Sequence, residues 1–185
     1  MSSYYIDNEQ GLKGKWGLSL RLKGLEPLLD VAKDKTILDV GAAEGLVALE
    51  FAKRGATYIT GIEYENERVI KANEIFSEEK LPGLFLQGDL NNWANIVNTY
   101  AIVSDFSPYD IVLFLGIFHH LRGNARLSTL NSALDVCNEY FAVRTPEKFM
   151  PYLLEAVYLK GFKKLVSERG VEGTDLGNLV IFERK

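Results

Sequence analysis

The sequence predicts an α/β fold on a mostly parallel sheet, and three observations carry this prediction. Short apolar runs alternate with amphipathic helical stretches along most of the 185 residues. One early run, 36–40, carries an acid near its end and passes through a small-residue turn into a helix. The last two runs are joined by a short polar stretch, which indicates an antiparallel pair. We therefore expect seven strands, with the last one antiparallel.

Each element follows from its own residue pattern. Residues 1–17 are expected to be irregular, and a helix is expected from Leu18 to Lys33 with an interruption near Pro27, since proline lacks the N–H that a helix needs. The predicted strands are Thr36–Val40, Tyr58–Glu63, Leu84–Gln87, Asp110–Leu115, Tyr140–Val143, Lys163–Glu168 and Asn178–Glu183. The predicted helices are Gly45–Arg54, Asn66–Glu79, Ala125–Cys137 and Pro146–Leu159, with a short helix and a loop in 91–108. Length favours a single domain over 1–185, made of a helical cap (1–33) and a sheet core (34–185).

Composition narrows the class of protein. A hydrophobic fraction of 47% and a charged fraction of 25% are typical of globular proteins. The net charge of −4 gives no general attraction to nucleic acid. No apolar run is long enough for a transmembrane helix, and residues 1–5 lack the features of a signal peptide, so we expect a cytoplasmic protein. The single cysteine, Cys137, excludes an internal disulfide and is expected on a buried helix face.

The turn after the first predicted strand distinguishes between nucleotide cofactors. A dinucleotide site requires G-x-G-x-x-G, but counting from Gly41 the chain has Ala43 and Leu46 at the other two glycine positions. No phosphate-binding G-x-x-x-x-G-K-[ST] run is present either. The pattern Gly41-x-Ala43-x-Gly45 therefore favours a nucleoside cofactor without a pyrophosphate. The carboxylate of Asp39, just before the turn, suits a cofactor that carries positive charge.

The segment Ile37–Gly45 resembles the first motif of class I S-adenosylmethionine-dependent methyltransferases, an apolar strand followed by D-x-G-x-G-x-G, with a departure at Ala43. Glu63, 24 residues after Asp39, matches the acid that ends the second strand in that family. The segments 88–90 and 109–121 resemble the third and fourth motifs. The resemblance spans about 34–185 and implies a Rossmann-like three-layer sandwich, S-adenosyl-L-methionine as cofactor, and methyl transfer.

The resemblance also implies roles for individual residues. Asp39 would lie near the amino acid part of the cofactor, Glu63 would accept hydrogen bonds from the ribose, and Asp89 would accept from the adenine amine. The predicted cofactor-binding residues are Asp39, Gly41, Ala42, Ala43, Gly45, Glu63, Tyr64, Asp89, Leu90 and Leu115. Structural roles remain as alternatives: Asp39 as a helix cap, Glu63 as a solvated strand end, and Asp89 as an N-cap.

His119 and His120 are the only histidines of the chain and follow the fourth predicted strand. Ligands bind at the carboxyl ends of the strands in open α/β sheets, and imidazole titrates near neutral pH. Either histidine is therefore a candidate general base for a hydroxyl acceptor, with His120 favoured. The alternative is that one packs under the sheet edge and the other caps a helix. No metal site is expected, because no second histidine or cysteine cluster is available.

The acceptor is not specified by any motif. Residues 1–33 and the loops 122–124 and 144–146 are expected to cover the site, or a second subunit does so in a homodimer. An anionic group has candidate partners in the basic residues of the N-terminal segment around Trp16 and in two loop arginines: Lys13, Lys15, Arg21, Lys23, Arg122 and Arg144. Solvated basic faces and surface salt bridges are the alternatives. A small or medium-sized acceptor is favoured over RNA or protein, and a cofactor-binding relative without activity is the third hypothesis.

Overall fold

The computed structural model describes residues 4–7, 14–100, 108–170, 174 and 176–185, with only the backbone described for 4–7, 14–16 and 97–100. The chain divides into two compact units, Met1–Gln87 (unit 1) and Gly88–Lys185 (unit 2). None of the helices in these described ranges is long and apolar enough to cross a membrane. The expectation of a single domain stays a prediction.

The strands are β1 (Tyr4–Asp7), β2 (Gly14–Gly17), β3 (Thr36–Val40), β4 (Tyr58–Glu63), β5 (Gly83–Gln87), β6 (Tyr109–Leu115), β7 (Cys137–Thr145), β8 (Phe162–Glu168) and β9 (Asn178–Arg184). The helices are α1 (Leu18–Leu22), α2 (Glu26–Asp30), α3 (Leu46–Lys53), α4 (Asn66–Glu78), α5 (Trp93–Tyr100), α6 (Ala125–Asp135) and α7 (Met150–Leu159). Short 3-10 turns lie at Leu90–Asn92, Phe118–His120 and Glu147–Phe149.

Besides the separate pair of β1 and β2, unit 1 contains three parallel strands, with β4 between β3 and β5. Its core comes from the apolar residues of β3 and β4 and from nearly every side chain of α3. Asn73 joins α4 to β5, because its side-chain amide donates to the carbonyl oxygen of Phe85 at 2.9 Å and accepts from the Phe85 N–H at 3.0 Å. The carboxyl ends of β3 and β4 lie side by side in their parallel ladder, with Val40 opposite Ile62.

Unit 2 contains the antiparallel closing pair that the sequence predicts. Strand β6 is parallel to β7, while β9 runs antiparallel to both β7 and β8 and lies between them. The strands β3–β9 belong to one mixed sheet, so the predicted seven-stranded, mostly parallel sheet with an antiparallel last strand is confirmed.

The amino-terminal prediction is partly wrong. Residues 1–17 were expected to be irregular, yet β1 and β2 form a parallel pair, with Tyr4 opposite Gly14. Neither four-residue strand shows an alternating apolar pattern, which is why periodicity gives no signal there. The helical stretch that follows is broken as predicted, since α1 ends at Leu22 and α2 begins at Glu26 with Pro27 in its first turn.

Two boundaries in unit 2 also differ from the prediction. Cys137 is buried as expected, but it begins β7 rather than ending a helix, because α6 stops at Asp135 and passes into the strand without a glycine or proline to mark the change. The helix predicted from Pro146 begins only at Met150. Pro151 has no N–H to donate to the carbonyl of Glu147, so an α-helix cannot continue back through the 3-10 turn.

Candidate functional site

The turn after β3 uses backbone conformations that few residues adopt. Gly41, Ala43 and Gly45 have φ angles of 84°, 49° and 73°. Glycine adopts a positive φ at little cost, whereas alanine does so uncommonly. The N–H groups of Gly41 and Ala42 donate to the carbonyl oxygen of Ile62 at 2.8 and 3.0 Å. The turn is therefore attached to the carboxyl end of β4.

Gly45, at the start of α3, is required by packing as well as by its φ angle. A Cβ atom there would lie 2.8 Å from the ring of Phe85, and one on Gly61 would lie 2.1 Å from the same ring. The aromatic side chain thus occupies space that both glycines leave open. Close approach of a cofactor to Gly45 stays a prediction, and the structure adds this second reason for the glycine.

Glu63 connects the two strand ends through its carboxylate. One oxygen accepts from the N–H of Ala43 at 2.9 Å, and the other accepts from the N–H of Glu65 at 3.0 Å. The side chain is buried, so it is not the solvated strand end of the alternative interpretation. An ionised carboxylate has about four acceptor positions, so these two bonds leave capacity for hydroxyl donors. Tyr64, the next residue, is exposed.

Asp39 lies near the end of β3 with only 3% of its surface exposed. Burial, and secondly the negative charge of Glu63, raise the pKa of Asp39 from 3.8 to about 7. A carboxyl group in this environment carries its negative charge at a cost, which a nearby cation would reduce. This part of unit 1 is thus electrostatically suited to a positively charged group.

Two further charged residues that the sequence did not single out belong to this region. Glu44, in the turn itself, is 1% exposed. The guanidinium of Arg68, on α4, lies 3.6 Å from the carboxylate of Glu44 and 3.9 Å from that of Glu63. Three buried carboxylates therefore surround the turn, with Arg68 as a cation beside two of them. Only the contact between distant segments reveals Arg68, since its place in the sequence is that of an ordinary helix residue.

In unit 2, Asp89 has a structural role in the turn after β5. Its carboxylate accepts from the backbone N–H and the side-chain amide of Asn91, both at 2.9 Å, and it is exposed. The N-cap alternative is therefore present, and a role with adenine stays a prediction. Leu90 is buried, and its carbonyl oxygen accepts from the hydroxyl of Thr129 at 2.6 Å. The side chain of Asn91 in turn accepts from the N–H of Arg122 at 2.9 Å.

Strand β6 ends at Leu115, which is half-buried. Gly116 follows with a φ angle of 75°, and its N–H donates to the carbonyl oxygen of Arg144 at 2.8 Å. The chain then enters the 3-10 turn that carries His119 and His120. The two imidazole rings lie with centroids 4.1 Å apart; His119 is half-buried and His120 is exposed. A role of either histidine as a general base stays a prediction.

Arg126, on α6, holds the histidine turn. Its Nε donates to the carbonyl oxygen of Phe118 at 3.1 Å and its Nη2 donates to that of Leu121 at 2.8 Å. The guanidinium carbon also lies 4.8 Å from the ring centroid of Phe149, a residue of the loop after β7. The ring of His119 stacks on Phe149 with an interplanar angle of 24°. The loops after β6 and β7 are joined through these contacts.

The remaining predicted acceptor contacts are divided between surface and interior. Arg122 and Lys23 are exposed, whereas Arg21 and Arg144 are buried, at 5% and 4% exposure. Arg144 is therefore no surface salt-bridge residue. Lys13 lies outside the described residues, as do the side chains of Lys15 and Trp16.

Comparison with known families identifies the chain. The profile of a family described as "Methyltransferase domain" matches residues 37–139, more than half of the sequence. The chain belongs to this methyltransferase family. No curated protein gives a significant match to this methyltransferase. The match covers the turn after β3, the acid that ends β4 and the histidine turn, and S-adenosylmethionine is the cofactor that the family resemblance predicted.

Solved structures share the fold of this methyltransferase at low sequence identity. Magnesium protoporphyrin IX methyltransferase from Synechocystis with bound SAM aligns with a TM-score of 0.72 and 13% identity over 90% of this chain and 81% of that one. A Burkholderia thailandensis 1,6-didemethyltoxoflavin-N1-methyltransferase aligns at 0.66 and 17%, over 89% and 78%. A Pyrococcus horikoshii putative RNA methyltransferase aligns at 0.64 and 17%, over 86% and 80%. The predicted Rossmann-like methyltransferase fold is confirmed.

The residues around the turn fit the charge of S-adenosylmethionine. The cofactor supplies a methyl group on a positively charged sulfur, which is already activated for transfer. Asp39, Glu44 and Glu63 of this methyltransferase are each less than a tenth exposed, and the pKa of Asp39 is raised toward 7. A cation beside them would offset part of the cost of their burial. In the described part of the chain, no three or more His, Cys, Asp or Glu side chains are grouped so that they could hold a metal ion.

Proposed function

We propose that this methyltransferase transfers the methyl group of S-adenosylmethionine to a small or medium-sized acceptor. The observation that carries the proposal is the bond from Ala43 to the buried carboxylate of Glu63, which fixes the turn beside the second buried acid, Asp39. A turn that is held in place beside acidic side chains can bind a cationic nucleoside without rearranging. Preorganisation of this kind favours affinity. The glycine spacing argues against a dinucleotide at the same place.

The remaining residue roles are part of the proposal. Glu63 uses its unfilled acceptor positions for the two ribose hydroxyls, and Asp89 accepts from the adenine amine while it caps its own turn. Asp39 lies toward the ammonium group of the cofactor. The exposed His120 would accept the proton of a hydroxyl acceptor as the methyl group passes from the sulfur of the cofactor to that oxygen, with S-adenosylhomocysteine as the leaving group. The protein otherwise acts by alignment, because the methyl group needs no further activation.

A small acceptor is supported over RNA by two facts. The net charge of −4 opposes a general attraction to a polyanion. Two of the structural neighbours are named for porphyrin and toxoflavin methylation, although a third is named as a putative RNA methyltransferase. A steep fall of affinity with salt would be the signature of RNA. A homodimer stays a separate prediction.

Calorimetric titration with S-adenosylmethionine and S-adenosylhomocysteine tests the proposal. We expect saturable binding of both, weakened about tenfold or more by Glu63→Gln, because the ribose hydroxyls lose a charged acceptor. The matched control is Glu67→Gln, which changes an exposed acid of α4 and should leave the dissociation constants unchanged.

The other two hypotheses give different results in the same experiment. A relative that keeps only the fold would show no binding heat and no thermal stabilisation at millimolar cofactor. A chain that binds the cofactor but methylates RNA would transfer radiolabelled methyl groups to total RNA and not to a small-molecule fraction.

A further inference from the structure

The residues after β6 and β7 form a cationic aromatic cluster in unit 2, which we define as His119, His120, Arg126, Lys148 and Phe149. The cluster combines positive charge with ring surface. Arg126 lies 4.8 Å and Lys148 lies 5.1 Å from the ring centroid of Phe149, measured from Cζ and Nζ. His119 stacks on the same ring at 6.4 Å.

Arg126 and Lys148 have no carboxylate partner among the residues that the structure describes. The ion pairs found within those residues join other side chains. Arg126 uses two of its five N–H groups on the carbonyl oxygens of Phe118 and Leu121, which are neutral. The nearby acid in sequence, Glu147, is exposed and forms no ion pair with them in the described structure. The cluster therefore retains a net positive charge.

Part of the ring surface is open to solvent. Phe118 is buried and forms the floor, with its ring 6.0 Å from that of Phe149 in an edge-to-face arrangement. Phe149 and His119 are half-buried, and His120 is exposed. Rings held in place by packing, with adjacent cations, are suited to a flat ligand that also carries a negative charge.

We infer that the cationic aromatic cluster binds the methyl acceptor and that this acceptor is a planar aromatic molecule bearing a carboxylate or a similar anionic group. This inference rests on the proposed function, because it assigns the acceptor side of the same reaction. The ring system lies against Phe149 and the histidines, and the anionic group lies toward Arg126 and Lys148. These two cations lie beside one ring rather than along an extended track, which favours a compact acceptor over RNA.

Three probes with one carbon skeleton separate the role of charge from the role of planarity. All three have the same carbon skeleton, although the saturated one is thicker: naphthoate is planar and anionic, naphthamide is planar and neutral, and decahydronaphthoate is anionic and not planar. Binding is measured by titration of the full chain saturated with S-adenosylhomocysteine. We expect naphthoate to bind about tenfold more tightly than naphthamide, because its charge pairs with Arg126 and Lys148 add. We expect it to bind about fivefold more tightly than decahydronaphthoate, because aromatic pairs are favoured.

Two variants locate the binding on the cluster. Lys148→Met should weaken naphthoate about threefold and leave naphthamide unchanged, since one exposed cation is lost. Phe149→Leu should remove the preference for naphthoate over decahydronaphthoate. The matched control is Lys164→Met, which removes an exposed lysine of β8 and should change no affinity. Circular dichroism and melting temperature confirm that each variant is folded.

Equal affinities for the three probes, or equal effects of Lys148→Met and Lys164→Met, would overturn the inference. Tighter binding of poly(U) than of naphthoate, with a steep salt dependence, would overturn it in favour of RNA. Failure of the proposed function is distinguishable, because it appears in the first step as an absence of S-adenosylhomocysteine binding. Saturable cofactor binding together with no probe binding rejects only the inference.

Discussion

The two units carry opposite charge in their candidate site regions, and they hold it in different ways. In unit 1 the side chains of Asp39, Glu44 and Glu63 are buried, Glu63 accepts from the N–H of Ala43, and Glu44 pairs with Arg68. In unit 2 the cationic aromatic cluster is half-exposed and is held by Arg126 through two carbonyl oxygens. Buried charge resists change in its surroundings, whereas exposed charge is screened and adjusts. In unit 1, therefore, a change in the charge of the ligand should also change the stability of the fold. In unit 2 the two effects should be largely independent.

The largest expected effect is a pH dependence of stability that the buried carboxyl group of Asp39 causes in unit 1. The pKa of Asp39 is raised to about 7 in the folded chain, so the folded state binds the proton more tightly than the unfolded state between about pH 4 and pH 7. Stability should therefore fall as the pH rises through this window, by on the order of 4 kcal/mol in total, and stay level above it. Asp39→Asn should abolish this fall. Urea unfolding of the unchanged chain and of Asp39→Asn at several pH values measures this fall. The same dependence of unfolding free energy on pH in both proteins would contradict a raised pKa of Asp39.

The second effect concerns turnover and the exposed side chain of His120 in unit 2. His120→Ala should lower turnover about a hundredfold if the imidazole accepts the acceptor's proton, and it should spare cofactor affinity. Because the side chain is exposed, the melting temperature should change little. Turnover is measured from pH 6 to 9 with S-adenosylmethionine saturating. An unchanged rate across that range would return His120 to a structural role.

A third, smaller effect returns to the turn in unit 1. Glu63→Ala leaves the N–H groups of Ala43 and Glu65 without their acceptor, so the free energy of unfolding should fall by about 1–3 kcal/mol, together with cofactor affinity. Glu67→Ala, on the exposed face of α4, is the control and should change neither quantity by more than about 0.5 kcal/mol. A loss of affinity without a loss of stability would separate ribose binding from the turn.

The smallest expected effect concerns Arg126, which holds the histidine turn of unit 2. Arg126→Lys keeps the charge but offers a single ammonium in place of the planar guanidinium that reaches two carbonyl oxygens. We expect a stability loss of about 1 kcal/mol and a larger change in turnover than in cofactor affinity. Equal losses of turnover in Arg126→Lys and Arg126→Ala would show that the geometry, rather than the charge, positions the histidine turn.

The sequence predicts those features that adjacent residues determine. Asp39, Gly41 and Gly45 stand together, so their strand–turn–helix arrangement and the family are visible in one short segment. The bond from Ala43 to Glu63 spans 20 residues, and the sequence suggests the acid without its partner. Contacts of Arg126 with Phe149 depend on the pairing of β6 with β7, which no local pattern encodes. The predicted boundary between α6 and β7 is wrong, because no glycine or proline marks the change from helix to strand there.

The position of β9 between β7 and β8 has a consequence for synthesis of the protein. Strand β8 is synthesised before β9, yet β9 is the strand that pairs with both β7 and β8. Until the ribosome has produced β9, the edge of β7 stays open and β8 has no ladder to join. Open strand edges on a nascent chain invite pairing with other chains. We expect this interval to be the stage at which the polypeptide depends most on chaperones.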